Sequence, residues 1–131
     1  MSAITLQVGS LMPHFSVTTI EGQPFDYASI WQRRNLLLAV LTDETGPVDN
    51  RIVEAIDTLR PELAALDTAG VVTRTRLGGL PAPAVLIADR WGEIIDLASI
   101  DTVRSVPTAS DLREWLEYLA NRCPECEGEA K

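Results

Sequence analysis

The only thiols in the 131-residue chain are Cys123 and Cys126, in the stretch Cys123-Pro124-Glu125-Cys126. Two cysteines at this spacing can close a disulfide and exchange it with another, or supply half of a four-thiolate zinc site. Both reactions need the thiolate. Cys123 follows directly on a helical pattern, whose C-terminal dipole disfavours an anion, and Glu125, Glu127 and Glu129 add like charge. Exchange at pH 7 is therefore expected to be slow. Three readings stay open. In the first the pair is a redox couple, Cys123 attacking or buried and Cys126 the more exposed partner. In the second it is a metal site completed by a second copy of the chain. In the third the cysteines are structural, Cys123 finishing a buried stripe.

Few other groups could do chemistry. His14 is the sole histidine, between Pro13 and Phe15, and no nucleophile is spaced to use it as a base, so it reads as a surface residue. Asp43, Glu44 and Asp49 make the stretch 42–51 acidic. Their spacing resembles no hard-cation loop, and they read as a helix cap and a solvated turn. Apart from the cysteine alternative no metal is expected, and no cofactor.

Acidic residues outnumber basic ones 19 to 11, a net charge of −8 that repels phosphate backbones and anionic lipid. Nucleic-acid and membrane partners are set aside. A protein partner or a thiol reductant is expected instead. The basic clusters Arg33-Arg34 and Arg74/Arg76 lack the interleaved aromatics of a base-stacking surface and read as solvated element ends. With 46% hydrophobic and 23% charged residues, the chain is expected to form one domain over residues 1–122, followed by an acidic tail, 123–131. Residues 1–8 lack the basic and apolar regions of a signal peptide, and the longest strongly apolar run, 36–41, is too short to span a bilayer. With so few cysteines, a reducing, cytoplasmic setting is expected. The three tryptophans fit a core and leave room for a homodimer.

The elements that must position these groups are organised around residues 80–95. Val85 to Ala88 is a β-branched apolar run, Asp89 to Gly92 a turn cluster, and a second apolar run follows over 94–98, so the stretch reads as a hairpin. Pro81 and Pro83 bring the chain into it extended. Earlier, alternation over 15–20, the Glu21-Gly22 turn and residues 23–26 predict a first hairpin, with a short helical turn over 27–31. The continuous apolar run to Leu41 predicts a strand buried on both faces by covering helices. Ile52, Ile56, Leu59, Leu63 and Leu66 mark one helical face, capped by Asp49 or Asn50 and kinked or broken by Pro61. Residues 71–77 alternate as an edge strand, parallel to 36–41 through a right-handed crossover, in a sheet that the first hairpin completes. Residues 108–122 form a last helix, with Leu112, Trp115, Leu116 and Leu119 as its buried stripe and Thr108 with Asp111 as its cap.

This order of elements resembles the thioredoxin fold, and within it the redoxin or peroxiredoxin-like branch of alkyl hydroperoxide reductases and thiol-specific antioxidants. Val8-Gly9, Pro13 and Phe15 are similar to that family's opening signature, Glu21-Gly22 with Phe25 to its turn, Pro83 before Ala84-Val85-Leu86-Ile87 to its cis-proline, and Asp89 to Glu93 to its Asp-x-x-Gly-x turn. Together they cover residues 8–120. The resemblance implies an α/β, three-layer thioredoxin-like fold with a central mixed sheet, an N-terminal hairpin and a C-terminal covering helix. It implies a groove bordered by Ala82, Pro83, Thr42, Asp43 and Glu44. It also implies a reactive cysteine in the loop or first helical turn after the strand 36–41, where this chain has none. A peroxidatic centre at that place is excluded by composition. Residues 71–83 likewise leave no room for the helix the family places between its strands.

Overall fold

The structure, a computed structural model, describes residues 6–42 and 46–121. Its elements are β1 (Ser16–Thr18), β2 (Pro24–Asp26), a 3-10 turn Tyr27–Ser29, β3 (Asn35–Val40), α1 (Pro47–Leu63), β4 (Thr68–Thr73), β5 (Ala84–Ala88), β6 (Ile94–Ser99), a 3-10 turn Val103–Ser105 and α2 (Ala109–Asn121).

All six residues of β3 are buried, which suits an unbroken apolar run to the interior of a sheet. The sheet order is β4-β3-β5-β6. β3 pairs in parallel with β4, Leu36 opposite Ala69, and antiparallel with β5, Leu38 opposite Leu86. β5 and β6 form the predicted hairpin, with a register shift at Ile87/Ala88. Its turn is held by Asp89, whose carboxylate accepts the Trp91 and Glu93 amides at 3.0 Å each. The Ala82–Pro83 bond is cis.

Because side chains alternate along a strand, β3 feeds two cores. Leu37, Ala39 and Leu41 pack with Ile52, Ile56 and Leu59 of α1 and with Leu112, Leu116 and Leu119 of α2. Leu36, Leu38 and Val40 pack with Met12, Val17, Tyr27 and Ile30. The sheet is thus covered by helices on one face and by the N-terminal hairpin and its 3-10 turn on the other, not by helices on both.

Several local expectations are corrected. The β1–β2 hairpin forms its own two-stranded sheet, joined to β4 by a single bridge between Thr19 and Thr73. α1 is capped at Gly46 with Pro47 in its first turn, where a missing N–H costs nothing. Asp49 lies inside that first turn instead of capping it. Pro61 does not break α1, which continues through it and ends two residues later at Leu63. β4 runs Thr68–Thr73 and not 71–77, since Asp67, at φ 54, turns the chain directly from helix to strand. α2 carries the predicted cap: the Asp111 amide donates to Thr108 Oγ1 at 3.0 Å, and the Thr108 amide to the Asp111 carboxylate at 3.3 Å. Trp115, however, is 36% exposed, and Trp31 and Trp91 are 39% and 43% exposed, so none of the tryptophans fills the core.

Asp96 lies half-buried on β6. Burial raises its carboxyl above the usual range, against a smaller opposing effect from the Leu97 backbone. A raised folded-state value means that the native state holds the proton more tightly than the unfolded chain, so stability is lost as pH rises through it. Asp96→Asn is therefore expected to be more stable than the native chain at pH 7. Urea unfolding of both proteins should show the gain shrinking as pH falls and the native carboxyl protonates; an equal gain at pH 3 would rule out this origin.

Candidate functional site

Parallel pairing of β3 and β4 brings their C-terminal ends side by side, with the Leu41 amide donating to the Thr73 carbonyl at 2.8 Å. The residues that follow, Thr42 and Arg74, are thereby placed together. α1 starts just beyond, and Pro83 leads into β5 opposite it. The groove between them, about 270 Å³, is lined among the described residues by Thr42, Pro47, Val48, Asp49, Pro83 and Asp101, with Gly46 and Ile100.

Asp49 is the buried polar group of this groove, 2% exposed in the first turn of α1. Its Oδ1 accepts the Thr42 amide at 3.3 Å, and its Oδ2 accepts the Thr42 hydroxyl at 2.8 Å and Arg74 Nη1 at 3.0 Å. Arg74 Nη1 also donates to the Thr42 carbonyl. The guanidinium and the positive end of α1 both favour an anion here. The anion is the chain's own carboxylate. Such a group ties Thr42 and Arg74 to the first turn of α1, but it cannot be oxidised and reduced as a thiol can.

The sequence expectation read Asp49 as a helix cap beside a solvated turn and Arg74 as a solvated element end. The structure buries the first and pairs it with the second, across 25 positions of sequence. No local pattern marks the pair, although the parallel register of β3 and β4 implies that Thr42 and Arg74 are neighbours. Of the other groove residues, Pro83 lines the cavity, while Ala82 packs against the core on the hairpin side of the sheet. Asp43, Glu44, Cys123 and Cys126 lie outside the described residues.

His14 is exposed, its ring 5.4 Å from that of Tyr27 and 4.9 Å from that of Trp31. Tyr27 is buried and its hydroxyl has no hydrogen-bond partner among the described residues. Burial first, then the charge of Asp89, push its pKa up to about 12, so it stays a neutral phenol at physiological pH. Among the described residues no three His, Cys, Asp or Glu side chains gather as metal ligands, and no helix is long and apolar enough to cross a membrane.

No family model matches the chain, and neither does any curated protein. Solved structures do. A reduced 2-Cys peroxiredoxin from Plasmodium vivax is similar with a TM-score of 0.64 at 11% identity, over 86% of this chain and 81% of that one. Peroxidoxin BcpB from Mycobacterium tuberculosis gives 0.62 at 14% identity, over 90% and 99%. The thioredoxin domain of a thiol-disulfide oxidoreductase from Bacteroides vulgatus gives 0.58 at 11%, over 86% and 99%. At these identities the likeness is one of fold. The chain has a thioredoxin-like α/β fold.

Proposed function

We propose that this chain is a thioredoxin-fold protein whose groove beside Pro83 binds a protein partner without redox chemistry, and that any thiol–disulfide exchange belongs to Cys123 and Cys126. The observation that carries this reading is the buried Asp49 carboxylate, held by Thr42 and Arg74 in the first turn of α1. It fills the place where the family resemblance puts a reactive thiol. The structural neighbours named above include peroxiredoxins and a thiol-disulfide oxidoreductase, which supports keeping a thiol role in view.

Exchange at the C-terminal pair would follow ordinary stoichiometry. The Cys123 thiolate attacks one sulfur of a substrate disulfide and the other sulfur leaves as a thiolate. Cys126 then displaces the substrate from Cys123, leaving a Cys123–Cys126 disulfide and a reduced substrate. A small-molecule dithiol reductant restores the pair.

The test compares the native chain with Cys123→Ser/Cys126→Ser in insulin-disulfide reduction by dithiothreitol and in peroxide consumption. Peroxide turnover is expected from neither protein. Disulfide reduction, slow in the native chain, should fall to the uncatalysed rate in the double variant. Either activity persisting in the double variant would place a reactive centre elsewhere and overturn the reading. Zinc analysis of the native protein, with gel filtration, separates the redox pair from a metal site shared in a dimer.

A further inference from the structure

The N-terminal hairpin joins β4 at the C-terminal end of that strand, where Thr19 bridges Thr73 and the Ile20 amide donates to the Val72 carbonyl at 2.9 Å. Toward the start of β4 a groove of about 430 Å³ lies between the hairpin and the last turns of α1, lined among others by Phe25, Ile30, Arg34, Arg60, Leu63 and Gly70. It shares no described lining residue with the groove beside Pro83. Its size falls within the roughly 300–1,000 Å³ of small-molecule sites.

The lining is apolar and cationic. Ile30 and Leu63 are buried, and Phe25 is half-buried beside them. No carboxylate is among the described lining residues, so in a chain with 19 acidic and 11 basic residues the sign of charge is locally inverted. The two arginines reach the groove from distant parts of the chain. Arg34 ends the turn before β3, its amide donating to the Ile30 carbonyl at 2.9 Å, and Asn35 beside it pairs with Thr68 at the start of β4. Arg60 reaches β4 from α1, where its Nη1 donates to the Gly70 carbonyl at 3.0 Å.

Gly70 is what admits that contact. A Cβ there would lie 2.5 Å from Leu63 Cδ1 and 3.4 Å from Arg60 Nη1, so the bare backbone lets both side chains close onto the strand. The Arg60 guanidinium is thereby held before any ligand arrives, which lowers the entropy lost on binding one. Its only ion pair among the described residues is Asp57 at 3.8 Å, an i,i+3 contact with a carboxylate that is 64% exposed, and such surface pairs hold weakly. Arg34 has no ion pair among the described residues.

We infer that this groove binds a small organic acid, a carboxylate on an unbranched apolar body, with the carboxylate on Arg60 and Arg34 and the body against Phe25, Ile30 and Leu63. The guanidinium fork matches the two carboxylate oxygens, and the apolar wall distinguishes such an acid from a bare anion. The site is independent of the thiols and of the groove beside Pro83.

Titration of the full-length native chain with octanoate, followed by the amide NMR signals of Phe25, Leu63 and Gly70, tests this. Octanoate should saturate those shifts, while octanol, which lacks the charge, and acetate, which lacks the body, should each bind at least about tenfold more weakly. Arg34→Met and Arg60→Met should each weaken octanoate about tenfold, as loss of a charge-assisted contact does, with Arg60→Lys falling between Arg60→Met and the native chain. Arg34 is exposed, so its variant carries the test should Arg60→Met fail to fold. Octanoate binding unchanged in Arg34→Met, or octanol binding as tightly as octanoate, would overturn the inference. So would acetate matching octanoate, which would leave only a nonspecific anion contact, or saturable shifts that map away from this groove.

Discussion

Arg74→Met is expected to destabilise the chain by about 3 kcal/mol, because it removes the cation and leaves a buried carboxylate behind. Asp49 is 2% exposed, whereas the Arg74 side chain is 36% exposed, and the asymmetry sets the order of effects. Without Asp49 the guanidinium can turn to water. Without Arg74 the carboxylate keeps, among the described residues, the helix end and the Thr42 amide and hydroxyl. Asp49→Asn should therefore cost less, about 1–2 kcal/mol, losing a charge-assisted bond but few contacts. The double variant should cost clearly less than the sum of the two, as residues in one network do. Urea unfolding midpoints at a common slope measure all three. Additive losses, or a larger loss at Asp49 than at Arg74, would show that the carboxylate is not held as an ion pair.

Leu37→Ala is expected to cost about 3–4 kcal/mol, within the range for emptying a closed core site. Leu37 is 0% exposed on β3, opposite Gly70 of β4 and Ile87 of β5, and belongs to the cluster that joins the sheet to both helices. A strand fixed on both sides cannot move inward to fill the space. Trp115→Ala, a larger truncation of a residue 36% exposed on α2, should cost only about 1 kcal/mol. Calorimetric or urea unfolding of the two variants makes the comparison. A greater loss at Trp115 would mean that its ring is covered in solution, as a homodimer through that face would require.

What the amino-acid order determined by itself is local and periodic. The apolar run of β3, the two apolar runs of β5 and β6 with the turn residues between them, and the stripe Leu112, Leu116, Leu119 each state an element within a short window, where side-chain period and backbone geometry are linked. The missing cysteine after β3 was equally plain, since composition alone excludes a thiol there. Tertiary structure decided the rest. The Asp49–Arg74 pair depends on strand register, which places two chain ends together that no local spacing connects. Whether Trp115 was core or surface depended on how α2 is turned against α1, and a helical stripe defines that rotation only to within a side chain's width. The separate hairpin sheet has the same cause: pairing at an edge is a matter of where the chain arrives, and period-two alternation is satisfied by either sheet.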